Sequence, residues 1–168
     1  PLGLTLDSSN NIYVADSGNS RIIKFPAGST SNNTGSGGPT GTIIAGGNGQ
    51  RQQNNTSILN QLEQCRDVAI HPISGLLIVA DVNRLISFPI NSTSSTNGTV
   101  LVNSGTVDGE TRFFFRLVIA SNGDIYSSQG FSIFKTANGS SVPSMYVPRY
   151  DSYGVKTVYY AYNGIDIG

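Results

Sequence analysis

The sequence contains no tryptophan, and His71, Cys65 and Met145 are each the only residue of their type among 168. A lone cysteine excludes an internal disulfide. One histidine and one cysteine fall short of the several such ligands a zinc site normally needs. The same scarcity argues against a hydrolase triad, since His71-Pro72 reads as part of a turn. Glutamate occurs only at Glu63 and Glu110, and lysine only at Lys24, Lys135 and Lys156. These are the residues that normally cover helix surfaces, so a helical protein is not expected. Charged residues make up 12% of the chain, and ten basic residues balance ten acidic ones. That balance disfavours nucleic acid and anionic membrane surfaces, which both attract excess positive charge. The longest aliphatic run, 76–80, is far below the roughly 20 residues of a membrane span. The aspartates lack the spacing of an EF-hand loop, and no cofactor or metal motif stands out. No signal-peptide pattern opens the chain. It begins in mid-motif on Pro1-Leu2-Gly3-Leu4 without methionine, which reads as a fragment or processed piece.

What is present is 20 glycines, many Asn and Ser, and short runs of Ile, Val, Tyr and Phe. This mixture suits short strands joined by turns. A single helical turn is expected near 57–64. An internal repeat organises the rest. Gly3-Leu4-Thr5-Leu6-Asp7 leads through a polar turn into Ile12-Tyr13-Val14-Ala15-Asp16. The pattern recurs from Asp67-Val68-Ala69-Ile70-His71 into Leu76-Leu77-Ile78-Val79-Ala80-Asp81, and from Arg116-Leu117-Val118-Ile119-Ala120 into Asp124-Ile125-Tyr126-Ser127-Ser128. It starts again at Gly164-Ile165-Asp166. A third strand follows at 21–25, 84–88 and 132–135, and a fourth at 41–45 and 98–102. In the third copy the fourth strand is either 144–147 or 156–160. Four short strands in units of roughly 45 residues are the signature of propeller blades. The inner strand of each blade reads as a nearly unbroken apolar run.

Residues 1–22, with Asn11-Ile12-Tyr13-Val14-Ala15-Asp16-Ser17-Gly18-Asn19-Ser20-Arg21-Ile22 at their heart, closely resemble the NHL repeat. The second copy is a looser match, with a shorter Asp81-Val82-Asn83-Arg84 turn, and the third lacks the Asp and Arg. Ser20 stands where the family has His, and Cys65-Arg66-Asp67 where Pro-Arg-Gly is usual. The resemblance implies an all-β fold, a partial NHL-type β-propeller of three four-stranded blades plus the first strand of a fourth. The blades are expected at about 1–49, 64–103 and 114–160, with the fourth from about 164. NHL propellers have about six blades, so closure must come from sequence beyond this chain or from a second copy, or must fail. Uncovered apolar blade faces then predict self-association.

In such a fold the first-to-second and third-to-fourth strand loops share one face. The second-to-third loops and the blade-to-blade connections share the other. The N-x-Ser/Thr acceptors Asn32, Asn91, Asn97 and Asn138 fall on the first face, and Asn54 and Asn55 in a connection. If used, they imply a secreted protein whose sugars shield one side. Otherwise they are ordinary polar loops. The second-to-third face carries Asp16, Asn19, Arg21, Arg66, Asp81, Asn83 and Arg84, the candidate partner-binding residues. Asp16 with Arg21, and Asp81 with Arg84, bracket tight turns. Each pair is read either as architecture, with the Asp accepting turn amides, or as a contact surface. Gly46-Gly47-Asn48-Gly49 lacks the Gly-Lys-Ser/Thr ending of a phosphate loop. Tyr146 and the tyrosines after it serve either the core or a recognition patch. The expected function is a non-catalytic scaffold that binds a protein through one face, with no cofactor. Two alternatives stay open. One is a fragment of an amidating-lyase-like or lactonase-like propeller enzyme with its site in other blades. The other is an RNA-binding NHL domain.

Overall fold

The computed structural model describes residues 1–30, 38–51, 57–103, 106–107, 110–111, 113–129 and 132–147. The first blade comprises β1 (Gly3–Leu6), β2 (Ile12–Asp16), β3 (Arg21–Phe25) and β4 (Thr42–Gly46). The second comprises β5 (Cys65–Ile70), β6 (Leu77–Asp81), β7 (Arg84–Phe88) and β8 (Thr99–Asn103). A two-residue-per-strand hairpin, β9 (Thr106–Val107) and β10 (Glu110–Thr111), lies in the next connection. The third blade comprises β11 (Phe114–Ile119), β12 (Ile125–Gln129), β13 (Ser132–Thr136) and β14 (Ser144–Val147). Each blade is an antiparallel sheet with its strands in sequence order. Of the two candidates for the last strand of the third blade, 144–147 is thus a strand, and 156–160 lies outside the described residues. So does the expected start of a fourth blade at 164.

Turn chemistry sets these boundaries. Asp7 closes the first hairpin, its Oδ1 accepting the backbone N–H of Ser9 and of Asn11, each at 2.9 Å. Asn10 takes the left-handed conformation there, with φ 61°, which Asn tolerates better than most residues. A 3-10 turn, Ser17–Asn19, joins β2 to β3. No helix forms at 57–64, because other groups claim the carbonyls a helix would use. Gly98 N–H donates to Leu59 O, Arg51 N–H to Leu62 O, and Arg84 to Ile58 O and Gln61 O. The β9–β10 hairpin carries no strong strand pattern in sequence and was not expected.

Apolar side chains fill two seams between blades. Tyr13, Ala15, Ile22, Ala45, Leu62, Leu77, Val79, Ile86 and Phe88 form the seam between the first and second blades. Ile78, Ala80, Leu85, Val102, Phe114, Leu117 and Ile125 form that between the second and third. β6 and β7 are buried at every position because the middle blade is covered on both sides. The inner strands β1, β5 and β11 run side by side, β5 in the centre. They are not the continuous buried runs expected from sequence: β1 alternates half-buried and exposed, since the inner strands border an axial groove of about 630 Å³. On the free face of the first blade Leu2, Leu4 and Leu6 are exposed, Leu4 by 66%. Among the described residues no helix is long and apolar enough to cross a membrane.

Candidate functional site

The two Asp-Arg turns, alike in sequence, have different surroundings. In the first blade Asp16 and Arg21 pair across the β2–β3 ladder. Arg21 Nε donates to Asp16 Oδ2 at 2.8 Å, and Asn19 Nδ2 donates to both carboxylate oxygens. The Asp16 side chain makes no capping bond to a backbone amide of the turn, so the expected acceptor role toward turn amides is corrected. Partial burial raises the Asp16 pKa, but the bonds from Arg21 and Asn19 outweigh it and hold the carboxyl below its ordinary value. Asn19 is exposed, and the Arg21 side chain is 33% exposed.

In the second blade the pair is wholly internal. Asp81 and Arg84 are both 0% exposed, with Arg84 Nε donating to Asp81 Oδ2 at 2.9 Å. Arg84 Nη1 and Nη2 donate to Ile58 O and Gln61 O at 3.2 and 2.6 Å. Asp81 Oδ1 accepts the Glu63 N–H at 2.8 Å. Arg51 joins from the connection, 3.1 Å from Glu63 Oε2 and 3.6 Å from Asp81 Oδ2, and donates to Asn83 Oδ1 at 2.7 Å. Ser20 Oγ donates to Glu63 O. Burial raises the Glu63 pKa against the pull of Arg51, and burial lowers that of Arg84 against the support of Asp81. This network straps the connection onto the blades it joins. Arg84 and Asp81 are thus enclosed, because a two-residue turn pulls Arg84 under the connection, while Asn83 stays half-buried with its Oδ1 accepting from Arg51.

Arg66 sits at a β-bulge in β5, between Cys65 and Asp67. Its guanidinium lies over the Phe115 ring at 4.5 Å, and Phe115 occupies the matching bulge of β11. Asp67 and Arg116, the next residues, begin the regular ladders of their strands. Asp67 accepts from Val68 N–H and Leu117 N–H at 3.0 Å each, tying the second inner strand to the third. Burial raises its pKa, opposed by those amides and by Arg116. Arg116 Nη1 donates to Leu2 O in the first blade. Arg66 is one of the candidates read from the sequence; Asp67 and Arg116, charged residues at the mouths of apolar strands, join it in the structure.

Cys65 is fully buried, its Sγ donating to Arg21 O at 3.2 Å. Burial, with Asp81 adding, pushes the thiol up to about 12, which suits an inert structural residue. His71 bridges blades, contacting Gly123 O at 3.1 Å through Nε2 while Nδ1 accepts Ser74 N–H at 3.2 Å. Among the described residues no group of three or more His, Cys, Asp or Glu is arranged to hold a metal. Of the sequons, Asn91, Asn97 and Asn138 are exposed. The Asn138 amide donates to Asn122 O at 3.2 Å. Asn32, Asn54 and Asn55 lie outside the described residues.

No curated protein matches the sequence. Among solved structures, the chain is similar to one from a nidogen/laminin complex, with TM-score 0.57 and 14% identity over 90% of this chain and 53% of that one. It is also similar to the extracellular domain of a one-component system of B. thetaiotaomicron, with TM-score 0.57 and 10% identity over 92% of this chain and 17% of that one. A hybrid two-component system of the same bacterium gives TM-score 0.55 at 10% identity. The chain thus spans about half, or less than a fifth, of the structures it resembles. The NHL repeat model matches residues 1–25. The chain thus has a β-propeller-type fold, with an NHL repeat built into the first of the three successive four-stranded sheets among the described residues.

Proposed function

We propose that this chain is a non-catalytic binding scaffold that engages a protein through the face formed by its second-to-third strand turns and blade connections. The observation that carries this reading is the braced Asp16–Asn19–Arg21 turn. It holds an exposed amide and a half-exposed guanidinium in fixed positions on a rigid sheet. Preorganised side chains lose little entropy on binding, and arginine is enriched among interface hot spots. The opposite loops are rich in Ser, Asn and Gly and offer fewer such anchors. A protein partner is favoured over RNA because Arg21, Arg51 and Arg84 are each paired with carboxylates of the chain itself, which spends the charge a polyanion would need. One structural neighbour comes from a nidogen/laminin complex, in keeping with a propeller used to bind protein. Arg21, Asn19 and Arg66 are the contacts assigned here, with Asp16 as a positioning residue.

The test is site-directed photo-crosslinking in the full-length protein within its native source. A crosslinking residue in place of Asn19 should capture protein, and one in place of Thr30, on the opposite face, should not. Capture from Thr30 alone, or of RNA from Asn19, overturns the reading.

A further inference from the structure

The described arginines fall into two classes. Arg21, Arg51 and Arg84 each lie within ion-pair distance of a carboxylate. Arg66 and Arg116 do not, among the described residues, although both are only half-buried. Both sit where neighbouring inner strands begin, on the second-to-third face, and both follow from the same irregularity. The matching bulges in β5 and β11 re-aim side chains at the strand mouths, as bulges commonly do beside binding sites.

Each guanidinium is nonetheless fixed in place by its own chain. Arg66 lies on the Phe115 ring, a stacking that holds the plane of its fork. Its Nε is buried and meets no acceptor among the described residues. Arg116 is steadied through one nitrogen by Leu2 O, and its other donors have no acceptor among the described residues. The nearby acids are already engaged. Glu63 pairs with Arg51, and the Asp67 oxygens accept the Val68 and Leu117 amides. Two oriented guanidinium groups, neither within ion-pair distance of a carboxylate among the described residues, make a receptor for carboxylates, since guanidinium matches carboxylate geometry bidentately.

We infer that Arg66 and Arg116 form an acidic-segment subsite, taking the carboxylates of a short Asp- or Glu-rich stretch of a partner protein. This deepens the scaffold reading and rests on it for the identity of the partner. A polynucleotide is the poorer occupant, because two guanidinium groups serve a short acidic stretch, whereas the further phosphates of an extended run would meet Asp16, Glu63 and Asp81 on the same face.

The probes are acetylated hexaglutamate, hexaglutamine and hexauridylate, titrated into the full-length protein at low salt. The readouts are affinity and the Nε–Hε resonances of the arginines. Hexaglutamate should bind and shift Arg66 and Arg116 but not Arg84, and hexaglutamine should do neither. Arg66→Gln and Arg116→Gln should each weaken hexaglutamate by about tenfold. Arg66→Lys should restore part of that loss, which separates charge from folding. Should either glutamine variant fail to fold, the resonance shifts in the unaltered protein decide the matter. Hexaglutamate shifts confined to other arginines, or tighter binding of hexauridylate through the same two residues, overturn the subsite. Crosslinking from Asn19 is an independent readout. Protein capture there with no hexaglutamate response removes the subsite and leaves the scaffold. A hexaglutamate response without capture removes the scaffold and leaves the subsite.

Discussion

Asp67 fills the space that Gly3 leaves empty. A Cβ on Gly3 would lie 2.0 Å from Asp67 Oδ1 and 2.8 Å from Asp67 Cα, so the inner strands of the first two blades approach more closely than any side chain at residue 3 allows. Asp67 can reach Leu117 in the third blade from a position hard against the first. Gly3→Ala should therefore push β1 and β5 apart and cost about 1–3 kcal/mol. For a chain of this size the melting midpoint should fall by roughly 3 °C per kcal/mol. An unchanged midpoint in a thermal melt would refute the close approach.

The two Asp-Arg turns should separate stability from recognition. Arg84→Met leaves a buried carboxylate short of a partner and strips bonds from two carbonyls, so a loss of about 3–5 kcal/mol is expected. Arg21→Ala breaks a partly exposed pair and should cost only about 0.2–1 kcal/mol. Asp16→Ala belongs with the second, since it frees side chains rather than turn amides. Denaturant unfolding of the three variants checks the order. In partner binding the order reverses, with Arg21→Ala weakening capture and a short Gly-Ser linker in place of 28–38 leaving it unchanged.

Stability should also depend on pH through the third blade. The Lys135 ammonium, 2.7 Å away, and the Asn138 backbone N–H hold Asp124 down to about 2, against an ordinary 3.8. The folded chain thus binds this proton less tightly than the unfolded chain. The resulting stabilisation is present above the ordinary value and disappears as pH falls from about 4 to about 2. The urea midpoints of the native protein and Asp124→Asn should differ at pH 6 and converge at pH 2. A constant gap would mean that the Asp124 charge contributes nothing.

The exposed Leu2, Leu4 and Leu6 row should make the 168-residue chain associate when it is produced alone. Sedimentation velocity should show species heavier than a monomer, reduced by Leu4→Lys with Leu6→Glu. A monodisperse native monomer would count against the row as an association surface.

Much of this architecture is legible before any coordinates. β2 and β3 run over 12–16 and 21–25 in sequence and structure alike, because Asp7, Asn10, Asn11 and the turn after Asp16 punctuate them unambiguously. The site is less legible. Asp16 and Asp81 head the same motif, and only the connection packed over Arg84 makes one pair superficial and the other internal. That packing depends on contacts between residues 23 to 32 positions apart, such as Arg84 with Gln61 and Arg51 with Asn83, which local patterns do not encode. The apparent helix at 57–64 fails for the same reason. Its carbonyls serve a neighbouring blade, and tertiary demand outweighs local preference.

The enclosure of β6 and β7 sets the order in which the described blades come apart. Solvent reaches the amides of those strands only after a neighbouring blade has lifted away, so their hydrogen exchange must be slow and tied to the opening of a whole seam. The first blade gives up one seam when it detaches, whereas the middle blade must surrender two. Among these three blades the outer two therefore come away first under force or denaturant, and the middle one dissolves last.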